Sequence, residues 1–195
     1  GLRALCDRFG ALLMLDEIQC GMGRTGHLFA CHAYGVTPDV VTLAKALGSG
    51  FPIGAMLVGE KAGDAMQFGA HGTTFGGNPL AAAVARAALA EISSPQLLAN
   101  VARQSLAIRD ALAEIDAELG LFSQIRGMGL MLGAQLREAH AGKAGAILDV
   151  ACDHGLLLLQ AGPDVLRFVP ALNIGDADIE DGLQRLRSAL RAFVA

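Results

Sequence analysis

The sequence predicts an α/β protein in two parts, and two patterns support this fold class. Short apolar or β-branched runs at residues 11–15, 39–44 and 53–58 precede polar or glycine-rich loops, as buried strands of a mostly parallel sheet do. Beyond residue 93 the pattern changes to paired strands between longer helices, which is typical of a smaller α+β domain. We therefore predict two domains, at residues 1–92 and 93–195.

The first domain is predicted to begin with the end of a helix at residues 1–9, which Gly10 terminates. The three strands follow, with short helices near residues 29–34 and 60–66. Residues 69–77 form a loop that contains four glycines. Asn78 and Pro79 then suit the N-cap and the first position of a helix. The apolar side chains of this helix extend nearly all round it, which predicts packing on most sides.

The second domain is predicted to open with a helix that Ser94 and Pro95 begin and Gly120 ends. Strands are expected at residues 123–126 and 130–136, followed by a helix at 142–154 and two strands at 156–160 and 165–169. Asp176 is expected to cap a last helix, which runs to residue 194.

The composition argues against several classes of protein. Net charge is −4, so no basic field for nucleic acid is expected, and no apolar run approaches the ~20 residues of a membrane span. The four cysteines form no CxxC pair, and the five histidines have no metal-site spacing. Hydrophobic residues make up 53% of the chain, an excess that predicts surfaces buried by a partner subunit or by parts missing here. We expect the carboxyl-terminal part of a longer, cytoplasmic protein.

Asp16 and Lys45 are the residues that indicate chemistry. Each follows a predicted strand, and a parallel sheet carries its functional groups at the carboxyl ends of its strands. A lysine can form a Schiff base with an aldehyde, and a carboxylate beside a pyridine nitrogen keeps that nitrogen protonated. Taken separately, Lys45 could be a solvated loop lysine and Asp16 a helix cap. Together they suggest a site for an electrophilic cofactor, pyridoxal 5'-phosphate.

Three long motifs occur in order: LLMLDEIQCGMGRTGHLFA, PDVVTLAKALGSGFPIGAMLVG and HGTTFGGNPLAAA. With these motifs the chain resembles class III aminotransferases of pyridoxal-phosphate fold type I, most of all the acetylornithine and ornithine aminotransferases. The likeness extends to VLRFVPALNI and the final helix. It implies that residues 1–92 are the carboxyl-terminal part of the large cofactor domain, and that the protein is a homodimer.

The resemblance assigns roles to five residues. Lys45 matches the lysine that bonds covalently to the cofactor and transfers protons, and Asp16 matches the partner of its ring nitrogen. Gln19 matches a glutamine that bonds the phenolic oxygen of the cofactor. Thr74 matches a threonine that binds the phosphate of the neighbouring subunit's cofactor, although Thr73 leaves a one-residue ambiguity. Arg167 matches the arginine that pairs with the substrate α-carboxylate, a role for which a planar guanidinium is suited.

The implied reaction moves an amino group from N-acetylornithine to 2-oxoglutarate, in arginine biosynthesis. Ornithine, succinylornithine or 4-aminobutyrate aminotransferase, or an aminomutase of the same superfamily, are alternatives that the cofactor motifs do not separate. Ala46 stands where many relatives have glycine, and the family's upstream phosphate loop and ring-stacking aromatic residue are absent. The other reading is therefore an inactive fragment that only packs or dimerises.

Overall fold

The computed structural model describes all residues from 1 to 195, and the chain divides into two compact units, Gly1–Leu98 and Ala99–Ala195. The first unit has one sheet with the strand order β1-β2-β3, in which β1 and β2 are parallel and β3 is antiparallel to β2. Its elements are α1 (Leu2–Phe9), β1 (Met14–Asp16), β2 (Val40–Leu43), β3 (Ala55–Val58), α2 (Glu60–Gly63) and α3 (Pro79–Ile92), with 3-10 helices at Ala30–Tyr34 and Lys45–Leu47.

The predicted end of α1 and start of α3 are confirmed, whereas the helix predicted at 60–66 ends at Gly63. Helix α1 ends at Gly10, whose φ of 65° lies in the left-handed region that glycine adopts without strain. Helix α3 begins as expected, because the side-chain oxygen of Asn78 accepts a hydrogen bond of 2.9 Å from the backbone N–H of Ala81, and Pro79 is the first helical residue. Local chemistry therefore sets where these helices start and stop.

Two expectations about burial are wrong. The run at residues 11–15 was expected to be covered on both faces, but the strand lies at 14–16, and Leu12 and Met14 are exposed. Helix α3 was expected to be packed on most sides, yet its buried residues are Ala81 and Ile92. An apolar sequence shows that a segment is suited to burial. The segment is buried only where other elements of the fold pack against it. Most of these two surfaces remain exposed.

Asp39, just before β2, anchors the start of the first unit. One of its oxygens accepts hydrogen bonds from the backbone N–H of Leu13 at 2.8 Å and from the guanidinium of Arg3 at 2.7 Å. The hydrogen bond from Leu13, followed by that from Arg3, lowers the pKa of the Asp39 carboxyl. Because both donors favour the charged form, the carboxylate ties α1 and the segment before β1 to β2.

This contact predicts an acid-sensitive contribution to stability. A lowered folded-state pKa gives stability that is present above the unfolded pKa of about 3.9 and is lost as the pH falls through the folded value. The loss of unfolding free energy between pH 7 and pH 2 should therefore be smaller in Asp39→Asn than in the unchanged chain. Urea unfolding at both pH values measures this, with the exposed Asp64→Asn as the control. An equal loss in Asp39→Asn would contradict the assignment.

The second unit is an antiparallel sheet with the strand order β4-β5-β7-β6, accompanied by helices. Helix α4 begins before the division between the units and continues into this one. The elements are α4 (Pro95–Leu119), β4 (Phe122–Met128), β5 (Met131–Leu136), α5 (Ala144–Asp153), β6 (Leu159–Gln160), β7 (Val165–Phe168) and α6 (Asp176–Val194), with a 3-10 helix at Glu138–His140.

The core of the second unit lies between its helices and its sheet. Fully buried side chains from three helices and three strands meet there, including Leu112, Phe122, Leu132, Ile147, Leu166 and Leu190. The expected helix cap at Asp176 is wrong by one residue: Gly175 occupies the N-cap, and Asp176 is the first helical residue. The Asp176 carboxylate instead accepts hydrogen bonds from Arg103 and Gln104 of α4, so its partners lie on another helix.

None of the helices combines the length and the apolar character that a membrane crossing requires.

Candidate functional site

Asp16 and Gln19 lie at the carboxyl end of β1. One oxygen of Asp16 accepts a hydrogen bond of 2.9 Å from the backbone N–H of Ile18, and it lies 3.5 Å from the hydroxyl of Thr42. The second oxygen has no hydrogen-bond partner within the chain, and the residue is exposed. Gln19 is also exposed, and its amide has no partner. A carboxylate oxygen and an amide are therefore both available to a ligand.

Lys45 follows the end of β2 and has an unusual backbone. Its φ is 45°, a left-handed conformation that is uncommon for residues other than glycine and that is concentrated at functional sites. Its amine makes no hydrogen bond or ion pair within the chain. The residue lines an open pocket together with Gly50, Phe51, Pro52 and Ile53. Since β1 and β2 are parallel and Asp16 pairs with Thr42, Asp16 and Lys45 belong to the same edge of the sheet.

Gly48 allows the loop after Lys45 to fold back on itself. A Cβ atom at this position would overlap the carbonyl oxygen of Phe51 and would lie 2.8 Å from the Cγ2 atom of Ile53. Because real Cβ atoms do not approach neighbours so closely, only glycine fits this turn. The turn therefore gives the pocket beside Lys45 its shape.

The loop that contains Thr74 lies near the Lys45 loop. The hydroxyl of Thr73 accepts a hydrogen bond of 3.1 Å from the backbone N–H of Gly76, whereas the hydroxyl of Thr74 has no partner and is exposed. A second pocket is lined by residues 75–78 and also by Pro52 and Ile53, which line the Lys45 pocket as well. Of the two threonines, Thr74 therefore has the hydroxyl that is free to bind a ligand.

Arg167 lies in β7 of the second unit, opposite Gly133 of β5 and Leu159 of β6. Its side chain has no ion pair or hydrogen bond within the chain. The residue lines a largely apolar pocket with side chains such as Leu158 and Ile179. An unpaired guanidinium beside apolar side chains is suited to a ligand that carries a carboxylate on an otherwise weakly polar body.

Sequence reasoning missed Glu17, the residue after Asp16. It is 2% exposed, and its two carboxylate oxygens accept hydrogen bonds from the backbone N–H groups of Ala30 at 2.6 Å and Cys31 at 2.8 Å. Burial, together with the neighbouring Glu17, raises the pKa of the Cys31 thiol to about 11, so this cysteine stays protonated at neutral pH. The only signal in the sequence was a second acidic residue directly after an apolar run.

Comparisons with known proteins identify the family of this chain. The family model described as Aminotransferase class-III matches residues 1–190. Over 194 residues the chain is 71% identical to the acetylornithine aminotransferase of Xanthomonas campestris pv. campestris, covering 100% of this chain and 48% of that protein. It is 53% identical over 193 residues to the succinylornithine transaminase of Photorhabdus laumondii, covering 99% of this chain and 48% of that protein.

A solved structure gives the same result. The N-acetylornithine aminotransferase of Stenotrophomonas maltophilia K279a superposes with a TM-score of 0.92 and 60% identity, over 99% of this chain and 50% of that one. The chain thus spans about half the length of the curated relatives that it matches.

Proposed function

We propose that this chain, which belongs to the class III aminotransferase family, provides catalytic and binding residues of a pyridoxal-phosphate-dependent aminotransferase. The observation that carries this proposal is Lys45, an unpaired amine on a left-handed backbone at the sheet edge that also carries Asp16. Backbone strain of this kind costs about 1–3 kcal/mol and persists where the surrounding structure imposes it, most often at active sites.

The residues present fit pyridoxal phosphate by the chemistry of their side chains. The cofactor requires an amine at its aldehyde, an anion at its ring nitrogen, a donor at its phenolic oxygen and donors at its phosphate. Lys45, Asp16, Gln19 and Thr74 match these requirements in that order, and each has at least one polar atom without a partner in the chain. When bound, the cofactor supplies an electrophilic carbon and a ring that accepts electrons.

Each residue then has a task that its own chemistry allows. The Lys45 amine would hold the cofactor covalently at its aldehyde and could move a proton to or from the substrate carbon. The Asp16 carboxylate keeps a proton on the ring nitrogen. The Gln19 amide orients the ring, and the Thr74 hydroxyl binds phosphate oxygens. Arg167 binds the α-carboxylate of the substrate through two parallel hydrogen bonds.

The proposed reaction transfers the terminal amino group of N-acetylornithine to 2-oxoglutarate, a step of arginine biosynthesis. The likeness to acetylornithine aminotransferases at 71% identity supports this amine donor. The likeness to a succinylornithine transaminase at 53% identity keeps succinylornithine as the second candidate. Both compounds carry the α-carboxylate that Arg167 is suited to bind.

Three further assignments stay predictions and form part of this proposal. The first is a homodimer in which the Thr74 loop serves the neighbouring subunit's site. The second is a cytoplasmic location. The third is the domain division at residues 1–92 and 93–195.

Steady-state kinetics with 2-oxoglutarate as the acceptor test the proposed function. A protein of full family length that carries this chain should bind pyridoxal phosphate stoichiometrically and should have its highest kcat/KM with N-acetylornithine. Succinylornithine, ornithine and 4-aminobutyrate are the competing donors. A preference for one of them would replace the proposed substrate, and the absence of cofactor binding would contradict the function itself.

Arg167→Lys should weaken the binding of substrates that carry an α-carboxylate. The compact ammonium group of lysine cannot form the two parallel hydrogen bonds that the planar guanidinium of arginine donates to a carboxylate. We expect kcat/KM for N-acetylornithine to fall about ten- to a hundredfold, the range of one strong charged hydrogen bond. N-acetylputrescine, which lacks only that carboxylate, should be affected little. The exposed Arg126→Lys in the same sheet is the control. An equal loss for both amines would mean that Arg167 supports the fold and does not bind the substrate.

A further inference from the structure

Glu17 is a buried carboxylate that the proposed chemistry does not use. Asp16 and Glu17 are adjacent at the end of β1, where successive side chains point to opposite faces of the sheet. Asp16 is therefore exposed on one side while Glu17 is buried on the other. The direction of the Asp16 side chain thus depends on how firmly Glu17 is held.

Three segments meet at Glu17. Its backbone N–H donates a hydrogen bond of 3.0 Å to the carbonyl oxygen of Thr42, and its own carbonyl oxygen accepts one of 2.9 Å from Gly21. Its carboxylate holds the backbone N–H groups at the start of the 3-10 helix at 30–34. Glu17 therefore joins three segments: the end of β2, the turn that contains Gln19, and the start of the 3-10 helix at 30–34.

Gly21 packs closely against Glu17. A Cβ atom on Gly21 would lie 2.7 Å from the carbonyl oxygen of Glu17 and 3.0 Å from its Oε2 atom, so a larger residue at 21 would disturb the carboxylate. Turning the carboxylate away would also leave a buried charge and two buried N–H groups without partners, which is costly. These contacts favour a single arrangement of Glu17 and hold the turn at 17–21 with it.

We infer that Glu17 is a positioning residue for the cofactor site: by anchoring residues 17–21 to the 3-10 helix, it orients the Asp16 carboxylate and the Gln19 amide. This inference rests on the proposed function. Glu17 acts from the opposite face of the strand and does not touch the cofactor. Its effect should appear in cofactor affinity and in the titration of the bound cofactor.

Glu17→Gln tests this inference, because it keeps the shape of the side chain but replaces one acceptor oxygen with an N–H donor that faces a backbone N–H. In a protein of full family length that carries this chain, the Kd for pyridoxal phosphate should rise about tenfold, as expected for one lost charged hydrogen bond. The midpoint of the pH titration of the bound cofactor's near-visible absorption should shift by about half a unit or more. Glu91→Gln, on the exposed side of α3, should change neither quantity.

A second variant covers the case in which Glu17→Gln does not fold. Ala30→Pro removes the N–H that binds the Oε2 atom of Glu17, at a first helical position that tolerates proline, after an extended Phe29. Ala30→Pro should shift the Kd and the titration midpoint in the same directions as Glu17→Gln does. If the Kd and the titration midpoint of the variant equal those of the unchanged protein, the inference is overturned, even when the melting temperature of the variant falls. If the unchanged protein itself binds no cofactor, the proposed function fails and this inference with it.

Discussion

Replacing Lys45 with alanine should abolish turnover, lowering kcat by at least about a thousandfold, as the loss of a residue that takes part in covalent catalysis does. Borohydride should fix pyridoxal phosphate to the unchanged protein but not to Lys45→Ala. A peptide map of the reduced protein should find the cofactor mass on Lys45. A cofactor found on Lys61 or Lys143 would contradict the assignment.

Lys45→Gly separates the chemical role of this residue from its backbone strain. Alanine retains the penalty of a φ of 45°, whereas glycine adopts that conformation freely. The free energy of unfolding should therefore be higher in Lys45→Gly than in Lys45→Ala, by about 1 kcal/mol. Both variants should be equally inactive. Equal stability in urea unfolding would mean that the left-handed conformation of Lys45 carries no strain.

Asp16→Asn should have the second-largest effect. The change keeps the shape of the side chain but removes the charge that holds a proton on the cofactor ring, so the pKa of the ring nitrogen falls. Each pKa unit corresponds to about 1.4 kcal/mol, and a loss of two units would slow turnover about a hundredfold. The cofactor should still attach to Lys45, because the amine is unchanged.

Turnover and near-visible absorbance, measured on the same preparation, test the Asp16 prediction. The variant should contain bound cofactor and show slow turnover, and the exposed Asp64→Asn should match the unchanged protein in both. Near-normal turnover in Asp16→Asn would contradict the role assigned to Asp16. Loss of the cofactor together with the activity would instead mean that Asp16 acts mainly in binding.

The parts of the fold that depend on local chemistry could be predicted from the sequence. Gly10 and Asn78 end and begin helices through contacts with residues a few positions away, so their effects can be recognised in a short segment. Burial could not be predicted in the same way. Met14 and, in α3, Leu80 and Leu89 are apolar but exposed, because burial depends on what the rest of the fold places over them.

The candidate site shows the same division. The positions of Asp16 and Lys45 at the carboxyl ends of strands could be predicted, because each follows an apolar run directly. The left-handed backbone of Lys45 could not, since it results from how the following loop closes. The role of Glu17 was also hidden, because its partners lie 13 and 14 residues further along the chain, and no spacing rule connects a carboxylate to backbone N–H groups that distant.

Gly48 has a consequence for how freely this sequence can vary. Any side chain at this position would overlap the carbonyl oxygen of Phe51, so even alanine would require the turn beside Lys45 to open. In a saturation mutagenesis library selected for aminotransferase activity, Gly48 should accept no substitution, although it has no side chain that could take part in binding or catalysis. Gly63, around which a Cβ atom would meet nothing within 4 Å, should tolerate many. Such a mutational map would distinguish glycines required by close packing from those that are merely permitted.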